Sequence, residues 1–354
     1  MTLNTPTSAV VWSDPARQSA FEQWLAPLLD KHGLIKDSLR PASADASFRR
    51  YLRIDGDPCS LIVMDAPPPQ EDVHPFVKVA ALIADAGLHG PAVHACDAEH
   101  GFVLLSDLGS TLYLDALRAA DARQADALMR DAIDALVHWQ IGIPAAALPP
   151  YNEAMLRREL ALFPEWCVER EFGKQWDKRE QALWQQCCDL LVASALTQPI
   201  VAVHRDWMPR NLMVAEPNPA ILDFQDAVAG PVTYDMASLL RDAFISWDEE
   251  REIDWAVRYW EQARRASVPL GETFESDFGA YWRALEWMGL QRHLKVLGIF
   301  CRLKHRDNKP QYASDLPRFF AYVTKVMLRY RQLEPMLALI EPLQGGLTVK
   351  GVSF

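Results

Sequence analysis

Three side chains in the stretch from Val201 to Asp242 could do chemistry together: Asp206, Asn211 and Asp223. Ile200 to Val203 is a short, largely β-branched run ending at His204-Arg205-Asp206, and Leu212 to Ala215 is a second apolar run. Glu216-Pro217-Asn218-Pro219 has the composition of a turn, after which Ala220 to Leu222 reads as the returning strand. In such a hairpin Asn211 enters and Asp223 leaves, so antiparallel pairing sets them side by side at one end. Asp206 lies on the loop just upstream. Two carboxylates and a carboxamide then converge, all of them hard oxygen ligands or proton acceptors. Phosphoryl transfer needs this set. One carboxylate orients and deprotonates an attacking hydroxyl, while a carboxylate and an amide oxygen hold Mg²⁺ against the phosphates of a donor nucleotide.

The pattern Asp206-x-x-x-x-Asn211 followed by Asp223-Phe224 matches the catalytic and metal loops of the protein-kinase-like fold. With Tyr234-Asp235-x-Ala237 close behind, it resembles the aminoglycoside phosphotransferase branch of that fold. The chain runs directly into GPVTYDMASLLRD, which leaves no room for a long activation segment and lacks Ala-Pro-Glu. Four further segments, SADASFRRYLRI, MDAPPPQED, HRDWMPRNLM and QRHLKVLGIFCRLKHRDNKPQY, are similar to the bacterial cell-wall sugar kinases. Those enzymes phosphorylate N-acetylmuramate and N-acetylglucosamine at the anomeric hydroxyl. The resemblance covers about residues 40 to 330 and implies an ATP- and Mg²⁺-dependent kinase. Asp206 would be its catalytic base, and Asn211 and Asp223 its metal ligands. Kinases for aminoglycosides, choline or other amino alcohols remain the alternative among enzymes, and a nucleotide-binding pseudokinase scaffold the alternative outside them.

Neighbouring residues read as structural. Arg205 is expected to pair with a carboxylate, because no phosphorylated loop is present for it to contact, and His204 to pack beneath the catalytic loop. Asp235 suits an N-cap at the start of a helical run from Asp235 to Asp242. In the family the equivalent residue steadies the catalytic loop, so either reading keeps it out of the chemistry.

The nucleotide side departs from the family. Ser43 to Ser47 stands where the family places its small-residue phosphate loop, without a glycine, and Ser47 could add a hydroxyl donor. The phosphate-clamping lysine expected on the third strand is missing from Ser60-Leu61-Ile62-Val63-Met64, and the following helix offers Lys78 and Asp85 instead of a glutamate. Arg49, Arg50 and Arg53 stand on the adjacent strand. Alternation puts Arg49 and Arg53 on one face and Arg50 on the other, which makes Arg49 the first candidate to replace the lysine. The lobes are expected to meet near Ser106 to Gly109, with the nucleotide in the cleft, so Asp107 is counted with the nucleotide-binding residues. On the acceptor side, the basic run Arg292, His293, Lys295, Arg302, Lys304, His305 and Arg306 could receive a substrate carboxylate or an acidic loop of the same chain. Trp207 could floor a sugar ring or belong to the core.

These residues need elements to position them. Asp14-Pro15 reads as N-cap and first turn of a helix with Phe21, Trp24, Leu25 and Leu28 on one face, stopping at Gly33. Ser47 to Ile54, Ser60 to Met64 and Phe102 to Leu105 read as strands. Pro75 opens a helix that buries Phe76, Val79, Ala80 and Ile83 and stops at Gly87. From Thr111 onward the pattern is helical apart from the hairpin, as in Ala125–Gln140, Asn152–Phe163 and Asp254–Arg265. The expected fold is α+β and two-lobed, protein-kinase-like, with a small β-rich N-lobe at 1–108 and a mostly helical C-lobe at 109–354.

Half of the 354 residues are apolar, enough for two cores, and the net charge of −11 argues against a nucleic-acid partner. The partners expected are a nucleotide and a small-molecule sugar. Six cysteines without C-x-x-C spacing suit a reducing compartment, and of Cys187 and Cys188 one is expected buried and one partly exposed. No secretory signal and no membrane span are read, so a cytoplasmic location is expected.

Overall fold

A computed structural model of the protein describes residues 10–44 and 48–344. It divides into two compact units, Met1–Thr111 with Met213–Asp226, and Leu112–Leu212 with Ala227–Phe354.

The first unit opens with helix α1 (Pro15–His32), capped by the Asp14 carboxylate on the Ala16 N–H and ended by Gly33 in the left-handed region at φ 60°. Strands β1 (Arg40–Ala44), β2 (Arg50–Ile54) and β3 (Leu61–Asp65) follow. Next come helix α2 (His74–Asp85) and strands β4 (Val93–Asp97) and β5 (Phe102–Ser106). They form one antiparallel sheet in the order β1-β2-β3-β5-β4. Strand β1 occupies part of the segment read as a phosphate loop, because Arg40 to Ala44 pair with β2. Leu52, Ile54, Leu61, Val63, Phe102 and Leu104 pack against Phe21, Leu25 and Leu28 of α1. Helix α2 buries Phe76, Val79, Ala80 and Ile83, the face its spacing foretells. Bonds that join Met213–Asp226 to this unit include Val214 N–H to Thr111 O, Ile221 N–H to His89 O and His89 Nδ1 with Pro217 O. Phe224 also packs on Phe76.

The second unit carries α3 (Tyr113–Ala119), α4 (Ala122–Gly142), α5 (Glu153–Leu162), a π-helix (Phe163–Glu171) and α6 (Lys178–Leu196). Strand β6 (Ile200–Val203) pairs with β9 (Val228–Pro231). Between them in the chain lie the short strands β7 (Leu212–Met213) and β8 (Ala220–Ile221), which pair with each other. Helices α7 (Tyr234–Leu240), α8 (Glu249–Arg265), α9 (Gly271–Ser276), α10 (Phe278–His305), α11 (Leu316–Arg329) and α12 (Leu337–Gln344) complete it.

Helix α10 is the axis of this unit and is buried along most of Tyr281 to Cys301, polar residues included. It runs so close to the end of α5 that a Cβ on Gly298 would lie 2.5 Å from the Leu162 carbonyl carbon, so only glycine fits there. Cys187 and Cys188 are both buried, against the expectation of one partly exposed thiol, because α6 is covered on both of those faces. Among the described residues no helix is long and apolar enough to cross a membrane.

Candidate active site

The catalytic loop leaves β6 at Val203 and is built around Asp235. The buried Asp235 carboxylate accepts the N–H of His204 at 2.7 Å and of Arg205 at 2.9 Å. Arg205 adopts φ 77°, a conformation that costs a non-glycine residue energy and persists only where surrounding bonds enforce it. Asp235 therefore does not serve as the N-cap of α7; Thr233 stands at that position. Burial pushes the Asp235 carboxyl up to about 7, with the two N–H donors working against the rise.

Beneath the loop, His204 packs between Trp139 and Trp207, and the Trp207 indole donates to Ala132 O at 3.2 Å. Trp207 is fully buried, so it is core and not the floor of a sugar site. Its burial anchors the loop at the residue next to Asp206. The loop then closes on itself. Met208 N–H donates to Asp206 O, Asn211 N–H to Met208 O, and Asn211 Nδ2 to Asp206 O at 3.0 Å. Asp206 and Asn211 are thus brought together by one short turn.

The charges around Asp206 come from distant sequence. Arg205 Nη2 and Lys295 Nζ reach Glu159 of α5 at 2.6 and 3.3 Å, and the Tyr151 hydroxyl donates to Glu159 at 2.5 Å. Lys295 also donates to the Tyr234 hydroxyl at 3.2 Å. Arg292 Nη2 lies 3.3 Å from Asp206 Oδ1. Burial alone would raise the Asp206 carboxyl, but the cations of Lys295, Arg292 and Arg205 outweigh it and hold the group below the usual carboxylate range. A residue in that state is ionised at neutral pH and can accept a proton. Spacing within the loop could not reveal Glu159, Arg292 or Lys295, although the last two lie in the basic run already noted. That run serves its own chain in part, since Lys304 and His305 both bind Glu171 of the π-helix.

The remaining sequence candidates lie in the first unit. Asp223 follows β8 with φ 59°, and Gln225 Nε2 donates to its Oδ1 at 2.8 Å. Ser47 lies outside the described residues. Arg49 directs Nε to Glu71 Oε2 at 3.3 Å, while Glu71 Oε1 accepts the Phe48 N–H at 3.2 Å. A glutamate just ahead of α2 therefore meets the arginine just ahead of β2; the sequence hid this pair by placing Glu71 outside the helix. Arg50 points the other way, onto Asp65 and over the Trp12 ring. Asp107 receives Arg53 through two bonds of 2.6 and 2.8 Å, and also the Ser60 hydroxyl and the Gly109 N–H. Its carboxyl lies below the usual value, because Arg53 and Ser60 together outweigh its burial.

Residues 38–273 match the model of the phosphotransferase enzyme family. The chain belongs to that family. It is 52% identical over 309 residues to the N-acetylmuramate/N-acetylglucosamine kinase of Pseudomonas putida, covering 87% of this chain and 89% of that protein. The protein of the same name from Pseudomonas aeruginosa is 50% identical over 94% of this chain and 99% of its own length. Among solved structures, a Plasmodium vivax ethanolamine kinase superposes with a TM-score of 0.61 at 10% identity, covering 95% of this chain and 93% of that one. An ADP-bound aminoglycoside phosphotransferase superposes at 0.55 and 13% identity, covering 88% and 99%. The fold is the two-lobed, kinase-like α+β fold that the motifs imply.

Proposed function

We propose that this phosphotransferase transfers the γ-phosphoryl group of ATP to the anomeric hydroxyl of N-acetylmuramate and N-acetylglucosamine, in the cytoplasm, as part of peptidoglycan sugar recycling. The observation that carries this reading is the 50–52% identity, over nearly the whole chain, to enzymes named for those two sugars. The catalytic loop supports it from the physical side. Asp206 is ionised, its backbone is held by bonds within the loop, and its side chain is more than a third exposed, so an acceptor can reach it. Its carboxylate takes the proton of the sugar hydroxyl as the oxygen attacks phosphorus; the new O–P bond forms as the bond to the ADP oxygen breaks.

Asn211 and Asp223 would hold Mg²⁺. Their donor set, one amide oxygen and one carboxylate, suits a hard cation that takes its other ligands from phosphates and water. Asn211 fits the role because its nitrogen is already committed to the loop carbonyl of Asp206. When bound, the ion neutralises charge on the nucleotide phosphates. On the nucleotide side, Arg49, steadied by Glu71, is assigned to the phosphates, with Ser47 as a hydroxyl donor. Asp107, which holds Arg53 and Ser60, is assigned to the nucleotide side as well.

The test is ADP release from ATP and Mg²⁺ with a panel of sugars and amino alcohols, followed by NMR of the product. A C1 phosphate of either amino sugar supports the reading. Turnover only with choline, ethanolamine or an aminoglycoside replaces it, and nucleotide binding without turnover on any acceptor points to a scaffold.

A further inference from the structure

Arg292 is a buried cation whose burial the surrounding protein does not explain. Its side chain is 3% exposed, and its Nε and Nη1 have no hydrogen-bond partner among the described residues. The other buried arginine nearby, Arg241, shows what a structural cation looks like in this unit. Arg241 meets two buried glutamates, Glu252 at 3.1 Å and Glu286 at 2.8 Å. Lys295, one turn from Arg292 on α10, has Glu159. Among the described residues the one carboxylate within ion-pairing distance of Arg292 is Asp206, at 3.3 Å. Asp235 and Asp242 feel its charge from farther away. Its Nη2 also rests 3.9 Å from the sulfur of Met208, on the far side of the same loop turn.

A charge withdrawn from water is tolerated when a partner repays the desolvation. Here the repayment comes from the carboxylate of Asp206 on the catalytic loop, which is 36% exposed. The contact fixes a side chain that would otherwise rotate freely at the tip of a turn, because bonds from the loop itself hold only the backbone of Asp206.

We propose that Arg292 is a positioning residue for phosphoryl transfer: by engaging Oδ1 from the rigid helix α10, it aims Oδ2 of Asp206 at the acceptor hydroxyl. This deepens the sugar-kinase reading and rests on Asp206 being the base. Arg292 acts through Asp206. Its effect therefore falls on turnover with every acceptor and not on the recognition of any one of them.

The variants are R292K, R292Q and R292Q combined with D206N. R292Q is expected to lower kcat about 10²-fold, the cost of misplacing a catalytic group by about 1 Å. The KM values for ATP and for both sugars should stay within about threefold of wild type, and R292K should recover part of the loss. In the D206N background R292Q should add almost nothing, because the residue it positions is gone. A full additional loss there overturns the proposal. So does a loss confined to N-acetylmuramate, which would make Arg292 the receptor for that sugar's carboxylate. If R292Q does not fold, R292K alone and with D206N carries the same comparison. Crystal structures of wild type and R292Q keep the test independent of the acceptor. The Asp206 side chain should turn from its wild-type rotamer in the variant, and an unmoved side chain refutes the positioning role. A wild type that releases no ADP with either sugar sinks the sugar-kinase reading instead.

Discussion

Removing the Glu159 charge should strongly destabilise the second unit. Its carboxylate, buried on α5, is shared by Arg205, Lys295 and the Tyr151 hydroxyl. Glu159→Gln keeps the shape and deletes the charge, leaving Lys295 buried and Arg205 mostly buried beside a neutral amide. Breaking a buried pair from one side costs about 3–5 kcal/mol. Arg205 retains some solvent contact, so the lower end, about 3 kcal/mol, is the expected value. For a unit of this size that corresponds to a fall in Tm on the order of 10 °C. Urea unfolding followed by tryptophan fluorescence is a suitable assay, because all of the twelve tryptophans except Trp12 and Trp24 lie in the second unit. The effect must also depend on pH. Burial raises the Glu159 carboxyl, but Lys295 and Arg205 outweigh it and the folded-state value lies below the ordinary one. The contribution is therefore present above the unfolded pKa of a glutamate and is lost as pH falls through the depressed folded value. Wild type and E159Q should accordingly converge in strong acid and diverge near neutrality. A neutral-pH difference below about 1 kcal/mol, the size of an exposed pair, would refute the claim that Glu159 compensates both cations.

Three further outcomes are expected. Asp206→Asn should lower kcat by about 10²–10⁴ while ATP affinity, read by calorimetry, stays nearly intact; wild-type turnover would remove Asp206 from the mechanism. Asp223→Ala should abolish the Mg²⁺ dependence of ATP binding, and Asn211→Ala should weaken it. Mg²⁺ titrations that look the same in both variants and wild type would leave the metal assignment without support. Arg49→Ala should weaken ATP by roughly 1.5–3 kcal/mol without altering the KM for sugar, the loss of charge-assisted bonds to phosphate. Glu71→Gln should show part of the same loss, and ATP kinetics indifferent to both changes would leave the phosphates to Mg²⁺ and backbone.

The sequence alone determined what local interactions control. Asp14, Pro15 and Gly33 delimit α1 because caps, a fixed proline φ and a left-handed glycine act within a few residues. The face of α2 follows from helical period, and β6 and the paired runs flanking the Glu216–Pro219 turn follow from β-branched residues and turn chemistry. Asp206, Asn211 and Asp223 were legible because one loop and one hairpin carry all three. Only the tertiary structure decided the rest, since it depends on contacts between distant segments. Strand β1 takes in Ser43 and Ala44, the first two residues of the segment that small side chains suggested as a loop, because β2 offers them a ladder. Asp235 gives its carboxylate to His204 and Arg205, some thirty residues back, and not to its own helix. Most of all, two of the cations that hold Asp206 ionised, Arg292 and Lys295, come from α10, and the glutamate that pairs with Lys295 and Arg205 comes from α5. Residues 46 to 89 positions away reach the loop only once those helices pack beside it. Desolvation then gives each of those charges a weight that no sequence spacing can express.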